Sequence, residues 1–434
     1  MNSKKQLSHF VAVLMLMSGL SILLPICVNA AESDASNVKT KQVPAVRAKV
    51  YDQFARAQTL ADEDKVGEAI LALDNVQAKI SSMNSYERAM LWNFYAFIYY
   101  QQENYPQALN FFEKVVEEDP IPQPFELTTL FSLSQLHMMQ GNFDKTIDYL
   151  DRWEKLNTGE IPASNYYLKA QAMYQQKSYA KAEGYISKAI ALMEQQPDGV
   201  ADENWYILQR AVYYELKQPE KVKDVLVKML KHYDQPQYWT QLAGMYGELG
   251  EEKKQLAILE SAYQQGYIKS ASDIYNLAQL YYYHGAPFKG ASLITQAMDE
   301  GVLERNLRNL KFLAQSWTLA QENEKAIPVL MAAASLADNG ELHAQLGQLH
   351  LNLENWTAAI QATEQALEKG ELANPGNAYL VLGLALFNQE RYKDSIDALA
   401  LAESYKQSER MAKQWKKYVN TEQQNALLLN GVGS

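Results

Sequence analysis

Cysteine is almost absent from this sequence. Its 434 residues include a single cysteine, Cys27. One thiol cannot form a disulfide within the chain, and a zinc site built from several cysteines is excluded for the same reason. A disulfide framework is also unnecessary at this length, because several hundred residues bury enough apolar surface to stabilise a fold.

The longest apolar stretch lies at the N-terminus, within residues 10–26. Lys4 and Lys5 precede it and small residues ending at Ala30 follow it, which is the pattern of a cleavable export signal. We therefore expect residues 1–30 to be a signal peptide. An uncleaved membrane anchor and a lipoprotein modified at Cys27 are the alternatives. The proline and the small residues before the cleavage site disfavour the anchor, and the bulky residue before Cys27 disfavours the lipoprotein.

Positive charge is scarce as well. The chain has 40 lysine and arginine residues against 51 aspartate and glutamate residues, a formal charge of −11. Nucleic acids and anionic membranes are bound through clustered basic side chains, so this balance disfavours both as partners. It favours solubility and, more weakly, basic proteins as partners. After residue 30 the longest apolar run, 90–100, is too short to span a bilayer.

Residues with catalytic chemistry are few and scattered. The six histidines form no H-E-x-x-H zinc motif. His343 and His350 lie seven residues apart on one helical stripe, but no carboxylate completes a site with them. Gly244, Gly247 and Gly250 lack the preceding strand and the Lys-Ser/Thr of a phosphate-binding loop. The sequence thus predicts no catalytic residue, no metal site and no cofactor, and a protein that is not an enzyme.

What the sequence does contain is a repeat of about 34 residues. The best copy follows the pattern W-x2-L-G-x2-Y…A-x3-F…P through Trp92, Tyr95, Ala96, Tyr99, Tyr105, Ala108, Phe112 and Pro120. The small residue of its first helix recurs at Ala57, Ala96, Ser134, Ala170, Arg210, Ala243, Ala278, Ala314, Gly347 and Gly383. A second compact position, twelve residues later, holds Ala69, Ala108, Thr146, Ala182, Val222, Gln255, Gly290, Ala326, Ala359 and Ser395. Small side chains at both positions let the two helices of a hairpin approach closely.

This repeat resembles the tetratricopeptide family, and the resemblance implies an all-α fold. The expected architecture is a right-handed superhelical solenoid of about ten helix-turn-helix repeats, in which neighbouring hairpins stack to bury their apolar faces. The predicted boundaries are a polar linker at 31–49, the solenoid at 50–408, and a capping helix with a flexible tail at 409–434. Arg210 fills one small-residue position, so the register of its repeat stays open by one residue.

Candidate binding residues come from the first helix of each repeat, which in this class lines a concave groove. If the small residue is position 8, positions 4, 8 and 11 form the core, and positions 5, 9 and 12 are rotated by about 100° toward the groove. The predicted partner-binding groove consists of Asn93, Phe97, Tyr100, Phe131, Gln135, Met138, Tyr167, Gln171, Tyr174, Tyr214, Tyr275, Gln279 and Tyr282. Tyrosine rings and amides suit an extended peptide, although the same residues could simply continue the scaffold.

A narrower likeness lies in three runs, 83–95, 209–217 and 241–251. They resemble a periplasmic family that accompanies the TonB–ExbB–ExbD energy-transduction systems of gamma-proteobacteria. The resemblance implies a periplasmic adaptor that assists TonB-driven uptake of iron chelates, with TonB, ExbD or a TonB-dependent receptor as its protein partner. The alternative is an assembly factor or chaperone-like adaptor for outer-membrane or polysaccharide-export proteins. An enzyme acting on cell-wall material is a third hypothesis, and the missing catalytic residues weigh against it.

Overall fold

The computed structural model describes residues 43–431, with side chains to residue 428. The predicted signal peptide, Cys27 and residues 31–42 of the predicted linker lie outside the described residues, as do 432–434. Within 43–431 the secondary structure is entirely helical, with 21 α-helices and one short 3-10 helix at Ile80–Ser82. The all-α prediction is confirmed for this part of the chain.

Twenty of the helices form ten hairpins, and the chain divides into two compact units between Tyr233 and Asp234. The first unit contains α1 (Ala48–Asp62), α2 (Val66–Gln77), α3 (Ser85–Gln101), α4 (Tyr105–Glu117), α5 (Gln123–Met139), α6 (Phe143–Leu156), α7 (Ala163–Gln175), α8 (Tyr179–Glu194), α9 (Glu203–Glu215) and α10 (Pro219–Tyr233). In this unit each odd-numbered helix packs against the helix that follows it, and each hairpin packs against the next.

The second unit repeats the arrangement and adds one helix. It contains α11 (Pro236–Glu248), α12 (Glu252–Gln264), α13 (Ala271–Tyr283), α14 (Pro287–Asp299), α15 (Leu307–Leu319), α16 (Asn323–Leu336), α17 (Glu341–Asn352), α18 (Trp356–Lys369), α19 (Pro375–Asn388), α20 (Tyr392–Glu403) and α21 (Glu409–Gly431). The ten hairpins agree with the ten repeats read from the sequence, and α21 packs against α20 as the predicted capping helix.

The two small positions meet inside each hairpin. Ser395, the second-helix residue of the last repeat, donates its hydroxyl to the Gly383 carbonyl at 2.7 Å. A Cβ on Gly383 would lie 2.7 Å from Leu399 Cγ, closer than non-bonded atoms tolerate. In the repeat of α13 and α14 the glycine is on the second helix, and a Cβ on Gly290 would lie 2.7 Å from the Ala278 carbonyl oxygen. Close helix approach is therefore the physical reason for the periodic small residues.

Gly290→Ala is expected to destabilise the second unit by about 1–3 kcal/mol, because the clashing atom is backbone that cannot rotate away. Gly244→Ala is the matched control. Gly244 also lies inside a helix, α11, but a Cβ there meets nothing within 4 Å. Alanine should stabilise that helix by up to about 1 kcal/mol. Urea unfolding of both variants measures the difference, and equal effects would contradict the close approach.

The structure settles the register around Arg210. In the repeat of α7, the buried residues include Tyr166, Lys169 and Met173, at positions 4, 7 and 11. In the repeat of α9 the residues at the same positions are Tyr206, Gln209 and Tyr213, and all three are also buried. Arg210 is therefore at position 8 without a shift of frame. It is partly exposed.

The end of the predicted polar linker is tied to the third helix. Helix α3 begins with a capping box in which Asn84 and Glu87 each accept a backbone N–H from the other. Glu87 also accepts the Arg47 backbone N–H at 2.9 Å and the Arg47 guanidinium at 2.8 and 2.7 Å. Asn84 donates its amide to the Ala45 carbonyl at 2.9 Å. These bonds fix residues 45–47, immediately before α1, against the start of α3.

The capping helix α21 closes the last hairpin with one apolar stripe. Ala412 and Val419 are fully buried against α20, and Trp415 packs beside them. Lys416 is ion-paired with Glu403 of α20. The helix continues to Gly431, through residues that we predicted as a flexible tail. Alanine and leucine at 426–429 are strong helix formers, which explains the longer helix.

Candidate protein-binding surface

The predicted groove residues of the second and third repeats lie half-buried along α3 and α5. Tyr100 and Phe131 pack against the core between these hairpins, so part of each ring is fixed and part is accessible. Tyr100 meets Tyr105 of α4 edge to face, with ring centroids 5.8 Å apart. Burial raises the pKa of the Tyr100 hydroxyl, which therefore remains a proton donor at neutral pH.

Repeat four carries a tyrosine that is both stacked on another ring and hydrogen-bonded. The Tyr167 ring stacks on Trp205 of α9 at 4.9 Å, with 14° between their planes, and so joins two neighbouring hairpins. Gln171 donates its amide to the Tyr167 hydroxyl at 2.9 Å. Burial, reinforced by Asp202, raises the pKa of Tyr167 to about 12. The ring is held by Trp205 and its hydroxyl by Gln171, and the hydroxyl stays neutral.

Beyond this stack the surface is more open. Tyr174 meets Tyr179 of α8 at 5.5 Å with tilted rings. Burial and the nearby Glu215 carboxylate raise the pKa of Tyr174. Tyr214 is 69% exposed, the most accessible ring of the predicted set.

In the second unit, Tyr275 and Tyr282 are brought together by a residue that we did not predict. Both rings pack against Phe312 of α15, at 5.1 and 5.6 Å. The Arg308 guanidinium lies over the Tyr275 ring at 4.7 Å. Gln279, between the two tyrosines on α13, is half-buried. Tyr275, Gln279 and Tyr282 lie in the second compact unit, whereas the other ten predicted groove residues lie in the first.

The recurring glutamine at position 9 divides into two groups. Gln58, Gln171 and Gln348 each donate to a side chain one helical turn away, at 2.8 to 2.9 Å. Gln135, Gln279 and Gln315, the other glutamines at position 9, make no side-chain hydrogen bond to any described residue. The side-chain amide of Asn93 is likewise unbonded within residues 43–431. Sequence periodicity cannot separate these groups, because the difference lies in which neighbour each amide reaches.

Four contributors were missed from the sequence: Trp205, Tyr179, Phe312 and Arg308. Tyr179 lies on the second helix of its repeat. Trp205, Phe312 and Arg308 lie on first helices, but at positions other than 5, 9 and 12, so a prediction restricted to those three positions does not include them. The rule that ring pairs meet across neighbouring hairpins would have suggested Trp205 and Phe312. Including position 2 would have found Arg308.

Other kinds of site find no support in the described residues. Across 43–431 there is no group of three or more histidine, cysteine, aspartate or glutamate side chains arranged to hold a metal ion. None of the helices in that range is long and apolar enough to cross a membrane.

Two family models match parts of the chain. A family model described as tetratricopeptide repeat matches residues 345–409. A second model, described as anaphase-promoting complex, cyclosome, subunit 3, matches residues 101–189. No curated protein sequence matches the chain.

Similar solved structures share little sequence with this chain. The TPR2AB domain of yeast Sti1, in complex with pHSP90, is 14% identical with a TM-score of 0.35, and the match covers 61% of this chain and 98% of that one. YrrB, described as a TPR protein with an unusual peptide-binding site, is 17% identical with a TM-score of 0.36, covering 44% and 97%. MamA of Desulfovibrio magneticus is 16% identical with a TM-score of 0.34, covering 41% and 94%.

Proteins built from this repeat are protein-interaction scaffolds, and the surface above has the accessible rings and amides such a role needs. The periodic small residues, the ten hairpins that they hold together and the tetratricopeptide-repeat model that matches residues 345–409 support a tetratricopeptide-type solenoid fold for residues 43–431.

Proposed function

We propose that this protein is a periplasmic scaffold that assists TonB-dependent energy transduction for iron-chelate uptake. It would bind an extended segment of TonB, ExbD or a TonB-dependent receptor along the first helices of repeats two to five. The export signal and the sequence runs that resemble the TonB-associated family support the location and the partner. The surface itself supports the mode of binding.

One observation carries the mode of binding: the first helices of two successive repeats carry unbonded amides, and the first helix of the next repeat carries a ring held by its neighbours. Asn93 on α3 and Gln135 on α5 have no side-chain partner among the described residues, whereas the Tyr167 ring is fixed by Trp205. An amide can both donate to and accept from a peptide backbone. A ring that is already ordered loses little conformational entropy when it covers a partner's side chain. This combination suits an extended backbone without requiring charge.

The amides also explain why this surface need not be selective for one sequence. Bonds to a partner's main chain are available from any extended segment, so side-chain pockets must supply the specificity. The half-buried rings of Tyr100, Phe131 and Tyr174 are accessible side chains of this surface that would contact the partner's side chains.

Site-specific photo-crosslinking in cells tests this proposal. A photoreactive residue at Asn93 or at Gln135 is expected to give adducts with TonB, ExbD or a TonB-dependent receptor. Leu71 of α2 and Val227 of α10 are the matched controls, since both are exposed, at 62% and 45%, on second helices of the same unit. They should give few or no such adducts.

The outcome also separates the alternatives. Adducts with outer-membrane or polysaccharide-export assembly proteins would replace this function by the assembly-factor role. Equal crosslinking from Leu71 and Asn93 would remove the first helices as the binding surface. Unchanged iron-chelate uptake after deletion of the gene would contradict the TonB role itself.

A further inference from the structure

The first helices of the ten repeats carry almost no charge on their binding face. Positions 5, 9 and 12 define the predicted groove, and position 2 lies one turn before position 5 on the same side of the helix. Over these four positions in all ten repeats only three residues are charged: Arg308, Lys311 and Glu341. In a chain with 40 basic residues and 51 acidic ones, both cations fall in one repeat, the eighth.

Among the described residues, Arg308 differs from most cations that lie over rings because it has no ion pair. Lys114 on α4 and Lys188 on α8 also lie over rings without an ion pair, but both belong to second helices and not to the groove positions. Four lysines lie over an aromatic ring eight residues earlier, in the pairs Tyr213–Lys221, Tyr246–Lys254, Tyr281–Lys289 and Trp317–Lys325. Each of those lysines is also ion-paired with a glutamate. Arg308 lies 4.7 Å over the Tyr275 ring, yet it has no carboxylate within ion-pair distance among the described residues.

The surroundings hold Arg308 in place without neutralising it. Tyr275 packs against Phe312, which is 9% exposed, so the ring beneath the guanidinium is itself fixed. Lys311 follows one helical turn later, is exposed, and also lacks an ion pair within the described residues. A guanidinium oriented by a ring presents a planar fork of donors that matches a carboxylate.

We propose that repeat eight is a subsite for an acidic peptide segment, in which Arg308 and Lys311 bind a carboxylate of the partner and Tyr275 orients Arg308. Glu341, the remaining charged residue, accepts the Ala373 backbone N–H and so is occupied within the fold. The proposal deepens the proposed function and rests on it, since it presupposes a polypeptide ligand. It adds the chemistry of that ligand at one repeat.

The test uses the exported chain and fluorescein-labelled peptides of six glutamates, six lysines or six phosphoserines, each with an amidated C-terminus. Fluorescence anisotropy is expected to show binding of the glutamate peptide that weakens as salt rises from about 50 to about 300 mM. Because the chain as a whole is acidic, non-specific attraction cannot produce this result. Arg308→Gln and Lys311→Gln are each expected to weaken binding about tenfold.

Three further variants separate the roles. Arg308→Lys keeps the charge but loses the fork, so its affinity should lie between wild type and Arg308→Gln. Tyr275→Leu should weaken binding while leaving both charges present. Lys253→Gln, at an exposed lysine on α12, is the control and should have no effect.

Several results would overturn the subsite. They are no binding of the glutamate peptide, equal binding by wild type and Arg308→Gln, or a clear preference for the lysine or phosphoserine peptide. None of them would affect crosslinking from Asn93 and Gln135, which lie in the other unit. Failure of this inference is therefore distinguishable from failure of the proposed function.

Discussion

The double variant Asp151→Asn with Glu154→Gln is expected to lose about 3–5 kcal/mol of unfolding free energy. Lys169 of α7 lies 2.7 Å from Asp151 and 2.8 Å from Glu154 of α6, and its side chain is only 3% exposed. The variant leaves the ammonium buried with no carboxylate partner. Urea unfolding, with hydrogen exchange of α6 and α7, measures the loss.

Removing the cation should cost much less than removing the anions. Asp151 is 49% exposed and Glu154 is 24% exposed, so after Lys169→Met water still reaches Asp151 fully and Glu154 in part, and the expected loss is about 1 kcal/mol. Adding Lys169→Met to the double variant should restore most of its stability, since the unpaired charge is then gone. A double variant as stable as Lys169→Met would show that water reaches the ammonium and would contradict this account.

The pH dependence follows from the same contacts. Burial lowers the pKa of Lys169, but Asp151 and Glu154 more than offset it, so the pKa is raised above its ordinary value of 10.5. The ion pairs of Lys169 therefore contribute their full stabilisation below pH 10.5, and this stabilisation is lost as pH rises through the raised pKa of Lys169 in the folded protein. In the double variant Lys169 has no carboxylate partner, so burial acts alone and lowers its pKa below 10.5. That variant should therefore gain stability as pH rises toward 10.5.

Glu87→Gln is expected to cost about 3 kcal/mol and to release the first hairpin from α3. The Glu87 side chain is fully buried and accepts N–H groups from Asn84 and from both the backbone and the guanidinium of Arg47. A glutamine would turn its NH₂ group toward donors, leaving buried groups unpaired. Hydrogen exchange in α1 and at the start of α3 should speed up markedly.

Acid should reproduce the effect of this substitution. The hydrogen bonds from Arg47, which outweigh the effect of burial, lower the pKa of Glu87 from 4.5 to about 2. The stabilisation is therefore complete above about pH 4.5 and is lost as pH falls toward about 2. Glu68→Gln, at an exposed carboxylate of α2, is the matched control and should change neither stability nor its pH dependence. An unchanged acid transition in Glu87→Gln would show that this carboxylate does not govern it.

These two sites join neighbouring parts of the repeat array through charged side chains as well as through apolar packing. Lys169 joins the third and fourth repeats, and Glu87 joins the segment before the first repeat to the second. Both are charged groups on surfaces that an amphipathic pattern would assign to the core. Their conservative substitution is informative because it changes charge while leaving shape nearly constant.

Much of the candidate surface could be predicted from the sequence. The frame set by the small residues places Asn93, Gln135 and Tyr167 at equivalent helical positions, and the structure finds all three partly exposed. Which amide is bonded and which ring is braced could not be predicted. Gln171 reaches Tyr167, whereas Gln135 meets no partner, although both hold position 9. The difference depends on the residue one turn away and on the neighbouring hairpin.

The sequence by itself determined the class of fold, the number of hairpins and the register of every repeat except that of Arg210, because helix pairing in this protein depends on local spacing. Gly290, Gly383 and Ser395 are small because the two helices of their hairpins touch at these positions. The same requirement recurs in the sequence about every 34 residues. The tertiary structure decided everything that depends on contacts between hairpins. Lys169 gains its carboxylates, and Arg308 its ring, from a neighbouring hairpin whose approach no spacing rule specifies.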